Sequence, residues 1–245
     1  MAKKILKTDW DSIDFENDFL PSIAIDTVIF GVHEKALKVL LLQYKNTSFF
    51  ALPGGFLFKQ DNLYDAAQKI LTDRTGLPEM YLEQFFTFGD YGRSDPSFME
   101  QIMEANGFSL KKDHFLLRRF ISIGYYALVD FTRVVPSPNM WSESCQWYDL
   151  TALPHLIQDH QQIIIKALET LQEHLDKRLI GFNLLPERFT MAELQTVYET
   201  ILQTKLLRTS FQRKMINLGI LEKVDKKLTG GAHKAPYLYK FLSGK

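Results

Sequence analysis

Residues 54–77 read GGFLFKQDNLYDAAQKILTDRTGL, and the fold turns on this stretch. A glycine pair closes the short strand-like run FFALPGGF that precedes it. Apolar residues then recur at Leu63, Ala66, Ala67, Ile70 and Leu71, the spacing of one helix face. Asp61 is placed to cap the start of that helix. Gly76 is placed to end it in the left-handed conformation that glycine adopts without strain. Strand, glycine turn and helix follow one another, and the helix carries few carboxylates.

On the N-terminal side, SIAIDTVIFGV (22–32) is rich in β-branched residues and LKVLLLQY (37–44) follows through the polar turn His33-Glu34-Lys35, so both read as strands. On the C-terminal side, EQFFTFGDY (83–91), RRFISIGYYALVD (118–130) and CQWYDL (145–150) read likewise. Pro96, after Ser94 and Asp95, marks a helix start, and SFMEQIMEA carries a turn or two of an insert that runs to Leu117. A long helix is expected from Leu153 to His174, with Leu156, Ile163, Ile164, Ala167, Leu168 and Leu171 on its apolar stripe. Mixed strands with helices between and after them predict an α/β (α+β) domain.

The composition shifts after about residue 176, which predicts two domains, 1–176 and 177–245. GFNLLPERFT (181–190) is linker-like and ends in Thr190, an N-cap with Glu193 three residues on. A second helix begins at Ser210 and stops at Gly219, with Phe211, Met215 and Leu218 facing inward. Ile220–Asp225 and Pro236–Phe241 read as two short strands around Gly230-Gly231. Helix, turn, helix and basic hairpin make a winged helix-turn-helix.

The chain has 245 residues and no net charge, but the charge is unevenly placed. From Lys205 onward ten Lys/Arg face two acids, a net of +8, which leaves −8 on the rest. An acidic body with a basic tail points to two modules, one meeting a polyanion. The single cysteine, Cys145, permits no intramolecular disulfide and fits a reducing, cytoplasmic setting. Acids interrupt the lysine-led N-terminus before an apolar core forms, so no signal peptide is expected, and no apolar run is long enough to span a membrane.

The 54–77 stretch resembles a Nudix box, G-x5-E-x7-R-E-U-x-E-E-x-G-U, where U is aliphatic. Gly55, Asp61, Leu71, Gly76 and Leu77 match its frame. In that family, helix glutamates on one face hold divalent metal against a diphosphate. Here those positions are Ile70, Asp73 and Arg74, and the motif arginine is Lys69. Ile70 offers no ligand atom, Asp73 has a shorter arm, and Arg74 places a cation where a carboxylate would meet the metal. The resemblance therefore implies a Nudix α/β/α sandwich with a mixed sheet that has lost catalysis. No catalytic residue, metal ligand or cofactor is assigned.

In the tail, Gln212, Arg213 and Asn217 point away from the inward seam, with Lys214 on its flank; such side chains pair with base edges in the major groove. Arg208, Thr209 and Ser210 at the helix start suit phosphate contacts, and Lys226, Lys227 and Lys234 suit a wing on the backbone or minor groove. A degenerate Nudix domain followed by GFNLLPERFT and a basic winged helix resembles the NrtR-like transcriptional regulators, among them regulators of sugar utilisation. RRFISIGYYAL and LPHLIQDHQQIIIKAL extend the likeness over roughly residues 20–242. That kinship implies a homodimer on a palindromic double-stranded operator, governed by a small molecule in the Nudix cleft. The 97–117 insert departs from the expected shorter connection and reshapes the cleft mouth.

Candidate effector contacts are Asp26, a lone charge in an apolar strand; Arg93 and Asp95 in YGRSDP; Arg119 and Ser122; and Tyr44 and Tyr125 as stacking rings. Asp159-His160 spells a metal pair, but neighbours on a helix point about 100° apart and do not share an ion. A sugar or sugar metabolite is the favoured effector because the metal set that would grip a diphosphate is depleted; an NAD-related nucleotide such as ADP-ribose is the alternative. A divergent nucleoside-diphosphate hydrolase using Asp73 with Glu79 or Glu83, and a protein-interaction adaptor, are the competing functions.

Overall fold

Phe19–His33 forms strand β1, whose fifteen residues organise the sheet in the computed structural model, which describes residues 14–78, 80–176, 184–227 and 235–242. A four-residue helix, α1 (Phe15–Asp18), leads into it. One edge of β1 runs parallel to β6 (Ile121–Val129), from Ile23↔Ile121 to Gly31↔Val129. The other edge is shared. Its first half pairs antiparallel with β4 (Gly54–Phe58) and its last residues, Phe30–His33, with β2 (Ala36–Tyr44). The sheet therefore forks near Asp26 and Thr27, where the Thr27 N–H donates to the Pro53 carbonyl at 2.8 Å.

β3 (Phe50–Ala51) and β7 (Ser142–Asp149) flank β2, and β5 (Glu83–Phe88) pairs with β6, which gives a seven-stranded mixed sheet. The β1–β2 turn is made by Glu34 and Lys35 with φ of 49° and 62°, the left-handed pair that a two-residue hairpin requires.

Side chains alternate across the sheet and sort into two cores. Ile25, Ile29, Leu40, Leu42, Tyr125 and Ala127 pack under helix α2 (Leu63–Thr75) through Ala66, Ala67 and Leu71. On the other face Val28, Phe30, Val39, Leu41, Tyr126 and Leu128 pack under helix α4 (His160–His174). This is the α/β/α sandwich the sequence predicted. Helix α3 (Pro96–Ala105) lies in the insert, with Pro96 in its first turn and the Asp95 side chain accepting from Ser97 N.

Several boundaries differ from expectation. The glycine pair opens β4 rather than closing a strand, because Gly54 and Gly55 pair with Asp26 and Ile25. Asn62, not Asp61, is the N-cap of α2, although Gly76 does end it at φ 68°. Helix α4 starts at His160, since Leu153–Asp159 is held as a loop that bridges from Leu156 to Phe50.

The C-terminal unit is built of β8 (Phe189–Thr190), α5 (Met191–Leu202), α6 (Arg208–Asn217), β9 (Leu221–Lys226) and β10 (Tyr237–Phe241), with strand order β8-β10-β9. Thr190 and Glu193 form the expected reciprocal capping box. Phe211 and Met215 are buried against α5, but Leu218 lies past the last turn of α6 and is exposed. Helix α5 also rests on the sheet domain: Phe189, Leu194, Val197 and Ile201 share the core of α4, and Gln172 Nε2 donates to the Ile201 carbonyl at 2.9 Å. Among the described residues, no helix is long and apolar enough to cross a membrane.

Candidate functional site

A cavity of about 300 Å³ opens where the sheet forks. The backbone of Gly54 and Gly55 forms part of its wall, and Met99, Ile102 and Met103 of α3 close another side. Phe15, Phe19, Phe56, Phe120 and Trp141 add aromatic rings to a largely apolar wall. Gly54 is required here because a Cβ would stand 2.6 Å from the Ile25 carbonyl oxygen and 2.9 Å from Asp26 Oδ1. The insert is fixed in place by Gln158, whose side chain accepts from Asp95 N at 2.7 Å and donates to Asp95 O at 3.0 Å.

Asp26 is the buried polar centre of the cavity. Ser122 Oγ donates to its Oδ2, Arg93 Nη2 lies 3.8 Å away, and His160 Nε2 stands 3.6 Å from Oδ1. The Leu52 N–H donates to His160 Nδ1 at 3.0 Å, so the ring proton sits on Nε2 and points at Asp26. Arg93 is held more firmly by Asp159, through Nε and Nη2 at 2.8 Å each, and its Nη1 donates to the Phe120 carbonyl at 2.9 Å. Burial first, and then the nearby Asp26 charge, push the Tyr44 hydroxyl up to about 12, so this wall residue stays protonated and can donate.

Of the seven proposed effector contacts, Asp26, Tyr44 and Arg93 line the cavity and Ser122 supports Asp26 from behind. Three do not reach it. Tyr125 lies on the α2 face, one residue out of phase with Tyr126, and its hydroxyl donates to Gln84 Oε1. Asp95 is spent on capping α3. Arg119 is exposed, donates to the Gly89 carbonyl and stacks over Tyr91 at 5.5 Å.

Sequence reasoning also missed Asp159 and His160. The rule that adjacent helical residues diverge does not apply to them, because Asp159 precedes α4 with non-helical backbone and only His160 is inside it. They converge on Arg93 and Asp26. Arg118 is a further wall residue that sequence reasoning passed over.

Of the box, Gly55 lines the cavity, whereas Ile70, Asp73 and Arg74 do not. Ile70 packs near Gly55, and its Cδ1 would be 3.5 Å from a Cβ placed there. Arg74 donates to the Ser137 carbonyl at 2.9 Å, and burial lowers its pKa. Asp73 is exposed on α2. Glu83, its suggested partner in metal binding, is across the sheet, where it accepts from the hydroxyls of Tyr81 and Tyr126 at 2.7 Å each. Glu79 lies outside the described residues.

The candidate nucleic-acid surface is the outer side of α6. Arg208, Thr209, Ser210, Arg213 and Asn217 are exposed and Gln212 is half-buried. The helix begins at Arg208, so Thr209 and Ser210 fall within its first turn, where backbone amides lack intrahelical acceptors. Lys214 bends back to Asp176, and Lys227 donates to Glu193 Oε1 at 2.8 Å. Lys226 is exposed beside the Tyr237 ring, and Lys234 lies outside the described residues.

Residues 181–241 match the family pattern described as the NrtR DNA-binding winged helix domain. The ADPR responsive transcriptional repressor NtrR of Acinetobacter baylyi is 32% identical over 228 residues, covering 90% of this chain and 82% of that protein. The chain belongs to the NrtR family. Its members are Nudix-related transcriptional regulators with a C-terminal winged helix. The crystal structure of Shewanella oneidensis NrtR complexed with a 27mer DNA shares 27% identity and a TM-score of 0.65, covering 90% of this chain and 93% of that one. A MutT/nudix family protein from Enterococcus faecalis, 19% identical over 91% of this chain and 87% of its own, superposes with a TM-score of 0.67 and supports the fold alone.

Proposed function

We propose that this NrtR-family chain is a repressor that binds ADP-ribose in the cavity at the sheet fork, leaves it intact, and changes its hold on operator DNA when the ligand binds. The observation that carries the reading is the joining of two features in one chain. One is a winged helix with Arg213 and Asn217 exposed on its second helix. The other is a Nudix domain with Ile70 and Arg74 at metal-ligand positions and a cavity that neither of them lines. Kinship with a repressor described as ADPR responsive supports ADP-ribose over the sugar metabolite that the sequence favoured. The depleted metal set, which had argued for a sugar, loses its weight because the cavity wall carries guanidinium groups of its own.

A largely apolar cavity with several aromatic rings and a few polar groups suits a nucleotide: rings stack on an adenine, while Asp26 and Tyr44 meet hydroxyls. On DNA, the chain acts as a homodimer whose two α6 helices read two-fold related half-sites, one helical turn or a multiple of it apart. Such a partner places it in the cytoplasm.

The test is anisotropy on a labelled duplex from the gene's own upstream region, with ADP-ribose or sugar phosphates titrated in. Operator affinity should change with ADP-ribose alone. A response to a sugar phosphate alone would reinstate the sugar effector. Chromatography of ADP-ribose incubated with protein and magnesium or manganese should show no cleavage. Release of AMP that Asp73→Asn abolishes would instead make this a divergent hydrolase.

A further inference from the structure

Two guanidinium groups line the cavity, and they are not equally available. The Arg93 side chain is only 6% exposed and spends its donors on Asp159 and the Phe120 carbonyl. Removing it from Asp159 would strand a carboxylate that is itself mostly buried. Arg118 is different. Its side chain is 38% exposed at the cavity wall, and its partner Glu16 is 56% exposed. The two meet as a fork on a fork, Nη1 to Oε2 at 3.0 Å and Nη2 to Oε1 at 2.5 Å, with a longer bond from Nη2 to the Asp113 carbonyl at 3.3 Å. An ion pair this open to solvent is cheap to exchange.

Glu16 sits in α1 beside Phe15, whose ring lines the same cavity and packs 5.5 Å from Phe115. Lys59 reaches the same segment from the loop after β4, donating to the Glu16 carbonyl oxygen at 2.9 Å. A planar two-oxygen anion is thus already held by Arg118 at the wall of a largely apolar cavity, and Lys59 holds the main chain of the same segment. A phosphate group offers the same two-point geometry and more charge.

We propose that Arg118 is the phosphate anchor of this cavity and that Glu16 is an internal placeholder, displaced when a diphosphate-bearing ligand enters. This rests on the nucleotide reading above and assigns its phosphates to a protein cation, in place of the metal that Ile70 and Arg74 do not support. Exchange of Glu16 for phosphate also frees α1 from the Arg118 side of the cavity, so binding would be felt at the N-terminal end of β1.

The test is calorimetry on the full-length wild type, Arg118→Ala, Arg118→Lys and Glu16→Gln, with ADP-ribose, ADP, pyrophosphate and adenosine, after melting curves confirm equal folding. Arg118→Ala should weaken ADP-ribose and ADP by about 10-fold or more and leave adenosine unmoved, since a charged two-point contact is lost. Arg118→Lys should fall between, keeping charge but not the fork. Glu16→Gln should tighten both diphosphates, because the competing anion is gone. If Arg118→Ala binds ADP-ribose as wild type does, or loses adenosine equally, the anchor assignment is wrong while the effector reading stands. If wild type binds ADP and pyrophosphate through Arg118 but not ADP-ribose, the anchor stands and the effector reading falls. If wild type binds none of them, both fall.

Discussion

Lys214, on the outer helix of the winged unit, places its Nζ 2.5 Å from Oδ2 of Asp176, two residues beyond the last residue of α4. The same ammonium lies 5.9 Å from the Tyr198 ring. At its other end α4 begins with His160, which faces Asp26 in the cavity. One helix of fifteen residues, about 22 Å long at 1.5 Å per residue, thus runs from the cavity to a cation of α6. Asp176→Asn should release Lys214 toward DNA. We expect tighter operator binding at low salt and a salt slope steeper by about 0.9, the value of one added phosphate contact. Anisotropy across a salt series measures both. Unchanged affinity and slope would show that Lys214 has no phosphate within reach.

Arg213 makes the opposite prediction. It is exposed on α6, next to the lysine that Asp176 restrains. If it reads a base edge, Arg213→Ala costs about 1–3 kcal/mol at one operator position and relaxes preference there. If it only touches phosphate, binding to all sequences weakens alike and the salt slope drops by about one. Competition among single-base operator variants separates the two, and no loss of either kind would remove α6 as the recognition element.

The sequence made the fold legible because periodicity reports burial. The β-branched run SIAIDTVIFGV marks a strand buried on both faces, and helical spacing in 61–75 points one set of side chains inward; the structure places both in the cores. The winged unit was legible for the same reason, through Phe211, Met215 and the Thr190–Glu193 box. The cavity was only half legible. Asp26 and Arg93 stood out as charges in apolar or turn settings. Asp159 and His160 were singled out only to be set aside, because their convergence on Arg93 and Asp26 depends on a loop that runs up to the start of α4, and no local pattern records that. Tyr125 failed for a simpler reason: it lies three residues past Ser122 on β6, where its ring joins the core under α2 and its hydroxyl turns to Gln84.

Gly54 tests the cavity wall directly. A methyl group there would meet the Ile25 carbonyl oxygen at 2.6 Å and Asp26 Oδ1 at 2.9 Å, and the nearer of these is backbone, which cannot swing aside. Gly54→Ala should therefore lower stability by about 1–3 kcal/mol, the usual cost of overpacking. Gly92→Ala is the control, because nothing lies within 4 Å of its added carbon. Denaturant melts of the two variants provide the comparison, and an equal, small effect at both would mean that the fork has room for a methyl group.

Cys145 should be inert. It is buried on the α2 face, and that burial pushes its thiol up to about 11, against a smaller opposing pull from Arg74. At pH 8 the folded protein should react with a thiol reagent far more slowly than the chain in denaturant, timed by absorbance. Equal rates would show that the site opens readily.

Glu199 gives the pH dependence. Its carboxylate accepts from Leu206 N at 3.0 Å, Gln195 Nε2 at 2.9 Å and Lys205 Nζ at 3.0 Å, closing the connection between α5 and α6. These bonds, the Leu206 amide foremost, lower its pKa from 4.5 to about 2. A carboxyl whose folded pKa lies below its unfolded value stabilises the fold fully above the unfolded value, and that contribution is lost as pH falls toward the folded one. Glu199→Gln should therefore be less stable than wild type at pH 6. The gap should narrow below about pH 4.5 and close near pH 2. Melts of both proteins across that range decide it. The Leu206 amide shift should follow the same titration, and a midpoint near 4.5 would show that the carboxylate is not gripped at the α5–α6 turn.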